Sequence, residues 1–353
     1  MSRFFSKRFD ALSPYTPGEQ PKERKYVKLN TNESPFPPSE KAQRMAFEAA
    51  KSLQLYSDPE CRALTAALAE QYGIDPDEVI FTNGSDDVLN FAFMAFCDDK
   101  TPAAFPDITY GFYPVFAALN GIDYRQIPLR EDFSVCVSDY FDLGRTMFIA
   151  NPNAPTGLVL TPAQVEEILI HNPDHVVVID EAYVDFGAES CVPLIHRYDN
   201  LLVTQTFSKS RSMAGARLGF GIACKALIQD LNTIRFSTNP YNINSMTMAA
   251  GIGTLSDPDY TKACCRAVME NRNYTAKALS EMGFEMTDSH ANFLFVRHPE
   301  ISGEDYYLRL KEKGVLVRHF GKERIADYCR VTIGSREEMD IFLSCTQSIL
   351  EEI

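Results

Sequence analysis

Short apolar runs that alternate with helical patterns dominate the middle of this chain. Five such runs lie at residues 79–81, 147–149, 176–179, 201–203 and 218–222. Helical spacing separates several of them, and Thr161-Pro162 supplies an N-cap and a first-turn proline for one of these helices. Buried apolar strands that are linked through helices indicate a mostly parallel sheet with helices on both faces. The pattern therefore predicts an α/β fold.

The pattern changes near residue 256. A long helical stretch from Asp257 to Met282 precedes strand patterns at 292–296, 315–317 and 330–333. We expect a large domain over residues 40–255 and a smaller α+β domain over residues 256–353. Residues 1–39 contain six prolines and little periodicity, which predicts an extended arm and a segment of the small domain. The aromatic residues of this arm favour packing on another surface, and a neighbouring subunit is one candidate.

Composition excludes several classes of protein. The formal net charge of −14 argues against nucleic-acid binding, because such surfaces are usually basic. Nine cysteines without Cys-x-x-Cys spacing favour free thiols in a reducing cytoplasm. No stretch has the pattern of a secretory signal or a membrane span, and the six histidines show no metal-binding spacing. We therefore expect a cytoplasmic protein with no nucleic acid, membrane or metal partner.

A lysine and an aspartate lie just past two of the predicted strands. Lys209 follows the run at 201–203 within a Ser/Thr-rich turn, and Asp180 directly follows the run at 176–179. Open α/β sheets bind ligands at the carboxyl ends of their strands. A buried lysine amine can form a Schiff base with the aldehyde of pyridoxal phosphate, and a carboxylate can pair with the ring nitrogen of that cofactor. Each residue also has a simpler interpretation, a solvated surface lysine and a helix-capping aspartate.

Residues that bind anions occur near the same strand ends. The segment Gly84-Ser85-Asp86 follows the run at 79–81 and opens a helix whose N-terminus would present free N–H groups to a phosphate. Thr206, Ser208 and Arg217 would add two hydroxyls and a guanidinium to this site. Read alone, the first segment is explained equally well as a plain Ser-Asp N-cap.

Three further residues depend on the rest of the site for their interpretation. Tyr110 follows another short strand, where its ring can stack on a flat cofactor, although an aromatic residue in a loop is more often part of the core. Tyr183, three residues after Asp180, can hydrogen-bond the phenolate oxygen of the ring. Arg330 lies inside the last strand pattern, where it suits a bidentate clamp on a substrate carboxylate or, alternatively, an exposed rim position.

The order of these segments resembles the fold-type I pyridoxal phosphate-dependent aminotransferases and, within them, the histidinol-phosphate aminotransferase family. The similarity runs from residues 12–15 through 29–35 and 55–59 to 330–334. It implies a large domain with a seven-stranded, mostly parallel sheet between layers of helices, and a smaller α+β domain. It also implies a homodimer.

The resemblance implies roles for individual residues. Lys209 would hold the cofactor and shuttle a proton, Asp180 would pair with the ring nitrogen, and Tyr183 would bond the phenolate oxygen. Arg330, Tyr15 and Asn32 would bind the substrate. The residues expected to contact the cofactor are Gly84, Ser85, Asp86, Tyr110, Asn153, Asp180, Tyr183, Thr206, Ser208, Lys209 and Arg217, with Tyr56 reaching the phosphate of the neighbouring subunit's cofactor.

One position departs from the pattern of this family. An asparagine that donates to the ring oxygen often precedes Pro-Thr-Gly in the family, whereas this chain has Ala154 there. Either Asn153 takes over this contact or Tyr183 makes it alone.

The expected activity is reversible transfer of an amino group between histidinol phosphate and 2-oxoglutarate, two small molecules, in histidine biosynthesis. Two related activities stay open, because they use the same lysine, aspartate and arginine: transamination of aromatic amino acids and decarboxylation of a phosphorylated amino acid. A non-catalytic nucleotide-binding α/β protein is the rival from another class. The segment Gly84-Ser85-Asp86 lacks the Gly-x-Gly-x-x-Gly pattern that this rival would need.

Overall fold

A computed structural model describes residues 2–10, 12–21 and 23–353, so Met1, Ala11 and Lys22 of the predicted arm lie outside the described residues. The strands of this part are β1 (Val27–Lys28), β2 (Val79–Thr82), β3 (Ala103–Pro106), β4 (Tyr124–Ile127), β5 (Thr146–Ala150), β6 (Val177–Asp180), β7 (Leu201–Thr206), β8 (Gly219–Ala223), β9 (Glu285–Met286), β10 (Phe293–Arg297), β11 (Val315–Leu316), β12 (Arg318–His319) and β13 (Cys329–Thr332). Its α-helices are α1 (Glu40–Ala50), α2 (Arg62–Tyr72), α3 (Ser85–Phe96), α4 (Tyr113–Asn120), α5 (Pro162–Ile170), α6 (Lys225–Thr238), α7 (Ser245–Leu255), α8 (Pro258–Glu281), α9 (Gly303–Glu312) and α10 (Arg336–Leu350). Within the described ranges, no helix is both long and apolar enough to cross a membrane.

A seven-stranded sheet forms the centre of the larger part of the molecule. Its strand order is β2-β8-β7-β6-β5-β3-β4. The neighbours from β7 to β4 are parallel, and β8 runs antiparallel to both β7 and β2. Each of the five apolar runs overlaps a strand of this sheet. The predicted α/β fold with a mostly parallel sheet is therefore confirmed.

Helices cover both faces of this sheet, as the alternation of side chains in β6 shows. Val177 and Ile179 pack in a core cluster with residues of α2 and α5. Val178 points to the opposite face and packs with residues of α3, α4 and α6. Because successive side chains of a strand point to opposite faces, a strand that is covered on both sides carries a continuous apolar run, here residues 177–179.

The edge strand β4 has a different character. Its first three residues are exposed and only Ile127 is buried. An edge strand with one covered residue needs no apolar run, which explains why none of the five runs marks it.

A second group of elements packs beside the large sheet. Strands β12, β13, β10 and β9 form an antiparallel sheet, and β1 pairs in parallel with β11. Helices α8, α9 and α10 bury their apolar faces on these strands. The same cluster contains Leu29 from the N-terminal segment and Phe186 from the loop after β6. The domain limits at residues 40 and 256 stay predictions.

The N-terminal segment after β1 crosses from the small sheet to the strand ends of the large sheet. The Leu29 carbonyl accepts a hydrogen bond from the Thr332 N–H, and the Asn30 carbonyl accepts one from the Arg330 guanidinium. The Thr31 carbonyl accepts one from Lys209 Nζ, just past β7. This crossing places the segment over the carboxyl ends of β6 and β7.

Candidate active site

Two adjoining cavities lie at the carboxyl ends of the central strands. The inner cavity, of about 390 Å³, lies over the ends of β6 and β7 and beside the start of α3. The outer cavity, of about 450 Å³, opens toward the small sheet. The residues that border both cavities are Thr31, Tyr110, Ala154, Tyr183 and Lys209.

Lys209 lies in the wall between the two cavities. It follows the last residue of β7 by three positions, and its Nζ donates to the Thr31 carbonyl at 3.2 Å. Burial lowers the pKa of Lys209 to about 8, and the nearby positive charges of Arg330 and Arg217 act in the same direction. At a given pH, the Lys209 amine is therefore neutral in a larger fraction of the protein molecules than an exposed lysine amine would be. A neutral amine is a nucleophile.

Asp180 is the last residue of β6 and lies in the floor of the inner cavity. It accepts hydrogen bonds from the Tyr113 hydroxyl and the Thr204 hydroxyl, each at 3.1 Å. Burial raises the pKa of this carboxyl to about 6, although the two hydroxyls oppose the shift. Both donors are neutral, so the ionised carboxylate would be stabilised by a ligand that brings a positively charged N–H to it.

The start of α3 forms one end of the inner cavity. Gly84 has a φ of 89° and precedes Ser85, the first helical residue. A Cβ on Gly84 would overlap the Arg217 guanidinium, and a Cβ on Gly219 would overlap the Ser85 nitrogen. The two glycines therefore let Arg217 and β8 approach the N-terminus of the helix, where free N–H groups favour an anion.

Hydroxyls and charged groups complete this end of the cavity. The Thr206 and Ser208 hydroxyls hydrogen-bond each other at 3.0 Å, and Arg217 donates to Ser208 at 3.4 Å. Arg217 also pairs with Asp86 at 3.1 Å, and Asp86 accepts from the Tyr110 hydroxyl at 2.7 Å. A phosphate here would meet a guanidinium, two hydroxyls and a helix N-terminus.

These residues fit pyridoxal phosphate. The cofactor needs an amine for its aldehyde, an acid for its ring nitrogen and an anion site for its phosphate. Lys209, Asp180 and the start of α3 with Arg217 supply these three groups around one cavity. The fold alone requires neither a buried acid that has no cation beside it in the described part of the chain nor the glycines that keep the helix start open.

The outer cavity has a different lining. The Arg330 guanidinium donates to the Asn30 carbonyl at 3.1 Å and lies over the rings of Phe293 and Phe320. Its Nε is buried and has no hydrogen-bond partner among the described residues. Burial lowers the pKa of Arg330, and nearby tyrosines oppose this change. The free donor, with Arg318 lining the same cavity, suits a substrate anion.

The structure brings together most of the residues that the sequence indicates. Tyr15, Asn32 and Arg330 line the outer cavity, together with Tyr110, Tyr183 and Lys209. Gly84 lies behind the Arg217 guanidinium. The residues of the prediction that line the inner cavity are Ser85, Asp86, Tyr110, Asp180, Tyr183, Thr206, Ser208, Lys209 and Arg217.

Besides Gly84, two residues of the prediction line neither cavity of this chain. The Asn153 amide is buried and bonds to the Thr109 hydroxyl, the Ile108 carbonyl and the Thr156 hydroxyl. These contacts use both ends of the amide within the chain. Tyr56 is 84% exposed and stacks on Tyr241.

Several residues of the site were not anticipated. Tyr113 and Thr204 hold Asp180, and Arg318 and Thr31 line the outer cavity. Thr204 lies two residues before Thr206 on the same strand, so the two-residue period of a strand would have indicated it. Tyr113 carries no such signal, because its contact with Asp180 joins residues that are 67 positions apart.

Comparisons with known proteins agree with this geometry. The sequence profile of the family Aminotransferase class I and II matches residues 24–345. A histidinol-phosphate aminotransferase of Brachyspira hyodysenteriae is 48% identical over 353 residues, covering 99% of this chain and 100% of the relative.

Solved structures share the fold at low identity. The histidinol-phosphate aminotransferase of Sinorhizobium meliloti in complex with pyridoxal-5'-phosphate has a TM-score of 0.85 at 23% identity, covering 93% of this chain and 92% of that one. The L-threonine-O-3-phosphate decarboxylase of Porphyromonas gingivalis has a TM-score of 0.80 at 20% identity, covering 92% of this chain and 99% of that one. The fold is thus shared by enzymes with different names, and the assignment rests on the sequence matches. The profile match spans most of the chain and the 48% identical relative spans nearly all of it, so the chain belongs to the class I and II aminotransferase family.

Proposed function

We propose that this chain transfers an amino group reversibly between histidinol phosphate and 2-oxoglutarate, with pyridoxal phosphate as cofactor, in histidine biosynthesis. The observation that carries the proposal is the position of Lys209, whose amine borders both cavities. One cavity has the groups that suit the cofactor, and the other has cations that suit an anionic substrate. The name of the 48% identical relative, which this chain matches over its full length, supports this choice of substrate.

The residues of the inner cavity have distinct tasks in this proposal. When bound, pyridoxal phosphate supplies an aldehyde carbon for amines to attack and a ring that withdraws electrons. Lys209 Nζ serves as nucleophile and as the base that takes up and releases the proton of the substrate carbon. Asp180 would hold a proton at the ring nitrogen. Tyr183 would donate to the ring oxygen, and Tyr110 would lie against the ring.

The anion-binding end of the inner cavity holds the cofactor's phosphate in this proposal. The groups that do so are the start of α3 at Gly84 and Ser85, the hydroxyls of Thr206 and Ser208, and the Arg217 guanidinium. Asp86 positions Arg217 through their ion pair. The contact that Asn153 would make with the ring oxygen is left to Tyr183, because the Asn153 amide is already bonded within the chain.

The substrate is bound in the outer cavity in this proposal. Arg330 clamps the α-carboxylate of the amino-acid partner. Its Nε, which no described residue bonds, supports that role. Tyr15 and Asn32 form the nearby wall, and Arg318 adds a positive charge for a phosphate. A local cluster of cations is needed, because the net charge of −14 repels anions from the molecule as a whole.

An amino-donor panel tests the choice of substrate. The cofactor-loaded protein is given histidinol phosphate, phenylalanine or tyrosine with 2-oxoglutarate, and glutamate and carbon dioxide are measured. We expect the highest kcat/KM with histidinol phosphate and no carbon dioxide. The two half-reactions share one site, so initial rates should follow ping-pong kinetics. Preference for phenylalanine or tyrosine would indicate an aromatic aminotransferase, and carbon dioxide would indicate a decarboxylase.

We further propose that the active form is a homodimer in which Tyr56 reaches the cofactor phosphate of the neighbouring subunit. Its exposed ring lies away from both cavities of its own chain, and Leu53 and Leu55 beside it are also exposed. A second copy would cover this apolar surface.

A mixing experiment tests the shared site. A Tyr56→Ala chain and a Lys209→Ala chain are each expected to be nearly inactive alone. In a mixed dimer, one site combines the intact Lys209 of the first chain with the intact Tyr56 of the second. Activity should therefore return on mixing, and its failure to return would contradict the shared site.

The domain limits and the location of the protein are also proposed. We place a large cofactor-binding domain at residues 40–255 and a small domain at residues 256–353, joined by the N-terminal segment. The nine cysteines, all of them free, support a reducing cytoplasm. Limited proteolysis should cut first between the two proposed domains.

A further inference from the structure

Polar groups from three distant parts of the chain form a line of hydrogen bonds that ends at the Tyr183 hydroxyl. The Thr332 hydroxyl in β13 accepts from the Asn32 backbone N–H and donates to the Asn32 side-chain Oδ1, both at 2.9 Å. Asn32 Nδ2 then donates to the Tyr183 hydroxyl at 2.9 Å. Asn32 and Thr332 are 1% and 2% exposed, so water does not compete for these contacts.

The backbone of Asn32 is held in one position. Its φ of 56° lies in the left-handed region, which asparagine tolerates better than most residues. Its carbonyl accepts from Asn292 Nδ2 at 3.0 Å, and Asn292 is buried beside β10. With the backbone fixed, the side-chain amide has two possible orientations, the one observed and the one turned by 180°.

The Thr332 hydroxyl selects between these orientations. A hydroxyl has one proton, and the acceptor for it among the described residues is Asn32 Oδ1. Turning the amide would face Nδ2 toward Thr332 and leave this proton buried without an acceptor, which is unfavourable. In the observed orientation the Tyr183 oxygen accepts from Asn32, so the proton of Tyr183 stays available to the inner cavity.

We propose that Thr332 is a positioning residue that, through the Asn32 amide, makes Tyr183 a hydrogen-bond donor toward the cofactor's ring oxygen. The side chain of Ala154, which borders the same cavity, has no polar atom to offer that oxygen. The orientation of one buried hydroxyl therefore controls a contact that Ala154 cannot replace. The inference rests on the proposed function only for the bound cofactor, and it needs no particular substrate.

Charged groups on several elements face Tyr183. Burial raises the pKa of Tyr183, Arg330 opposes this change, and the negative charges of Asp180 and Asp86 add to it. Lys209 Nζ lies 5.9 Å from the centre of the ring. The balance keeps the Tyr183 hydroxyl protonated at neutral pH, as a donor must be.

A pH titration of the absorbance of the bound cofactor tests this inference without substrate. A hydrogen bond to the ring oxygen draws off negative charge that otherwise helps to hold a proton on the Lys209 nitrogen. Loss of that hydrogen bond should raise the midpoint pH at which the absorbance band of the bound cofactor changes. We expect Thr332→Val, which frees the amide to turn, to raise this midpoint by about one pH unit. Thr332→Ser keeps the hydroxyl and should titrate like the wild type.

We call the hydrogen bonds from Thr332 through Asn32 to Tyr183 the relay. Two controls distinguish loss of the relay from a general loss of structure. Thr275→Val removes a fully buried hydroxyl of α8 whose partner within the described residues is the Asn271 carbonyl, and it should leave the midpoint unchanged. In a Tyr183→Phe background, Thr332→Val should add no further shift, because the relay acts through the Tyr183 hydroxyl.

The outcomes distinguish the inference from the proposed function. If the cofactor band has the same pH midpoint in the wild type and in Thr332→Val, the relay is refuted and the proposed function is unaffected. The relay is also refuted if Thr332→Val shifts the pH midpoint in the Tyr183→Phe background as much as it does in the wild type. If the wild-type protein binds no cofactor and shows no band, the proposed function and the relay both fall.

Discussion

Replacing Asp180 by asparagine should stabilise the cofactor-free protein and weaken its stabilisation by the cofactor. The Asp180 carboxyl is 5% exposed, and its side-chain donors are two neutral hydroxyls. Burial raises its pKa from 3.8 to about 6. This difference corresponds to about 3 kcal/mol against the ionised form in the folded protein.

The sign of the pH dependence follows from proton binding. Between pH 3.8 and about 6 the unfolded chain has lost a proton that the folded protein keeps, so the free energy of unfolding falls as the pH rises through this window. Asparagine carries no charge. Its oxygen can still accept from one of the Tyr113 and Thr204 hydroxyls, and the other hydroxyl can turn to accept from its NH₂ group. The free energy of unfolding of cofactor-free Asp180→Asn should therefore exceed that of the wild type by up to about 3 kcal/mol near pH 8, and by about half of that near pH 5.

Bound cofactor should change this order. A protonated ring nitrogen would offer Asp180 a positive partner, which it does not have among the described residues, so the wild type should gain more stability from cofactor than Asp180→Asn does. Urea unfolding with and without pyridoxal phosphate, at the two pH values, measures both effects. A cofactor-free Asp180→Asn protein that is less stable than the wild type near pH 8 would refute the argument, as would equal stabilisation of both proteins by cofactor.

Glu181 offers a matched control on the next residue of the chain. It is 1% exposed, and burial raises its pKa to about 7. It accepts from the Cys191 N–H and the Ser190 hydroxyl at 2.6 Å and from Gln205 Nε2 at 2.9 Å. Glu181 is thus a buried carboxyl like Asp180, but it lines neither cavity. Glu181→Gln should therefore change stability equally with and without cofactor, unlike Asp180→Asn.

Three further predictions test other parts of the site. Lys209→Ala should lower kcat by about 100-fold or more, since it removes the base, and a loss of only a small factor would contradict that role. Gly219→Ala should lower the free energy of unfolding by about 1–3 kcal/mol and weaken cofactor binding, because the new Cβ overlaps the start of α3. Gly321→Ala, whose new Cβ has nothing within 4 Å, is the control in urea unfolding and cofactor titration. Equal effects of the two substitutions would refute the argument. Arg330→Lys should raise the KM for 2-oxoglutarate by about tenfold or more, because lysine cannot make a bidentate contact; an unchanged KM in steady-state kinetics would place the carboxylate elsewhere.

The sequence was most informative where local pattern and burial agree. The runs that overlap β5, β6 and β7 are apolar because those strands are covered on both faces. Asp180 and Lys209 were recognised because each follows such a strand, where parallel strands place their ends together. The edge strand β4 was not recognised, because burial imposes almost no pattern on it.

Contacts between distant segments could not be anticipated in the same way. The Tyr113 hydroxyl that holds Asp180, and the bond between Asn32 and Thr332, join residues 67 and 300 positions apart. Asn153 fitted the sequence pattern of a cofactor contact, yet its amide bonds to Ile108 and Thr109 instead. Such pairings depend on where the fold brings separate segments.

The sequence by itself determined the sheet and the residues at its strand ends, and the order of its motifs indicated the family. The sheet follows from residue types at short spacing, which hydrophobic burial and backbone geometry translate directly into local structure. Tertiary structure alone decided which hydroxyl faces which carboxylate and how the Asn32 amide is turned. Hydrogen bonds are directional and act over about 3 Å, so their partners exist only once distant parts of the chain have packed together.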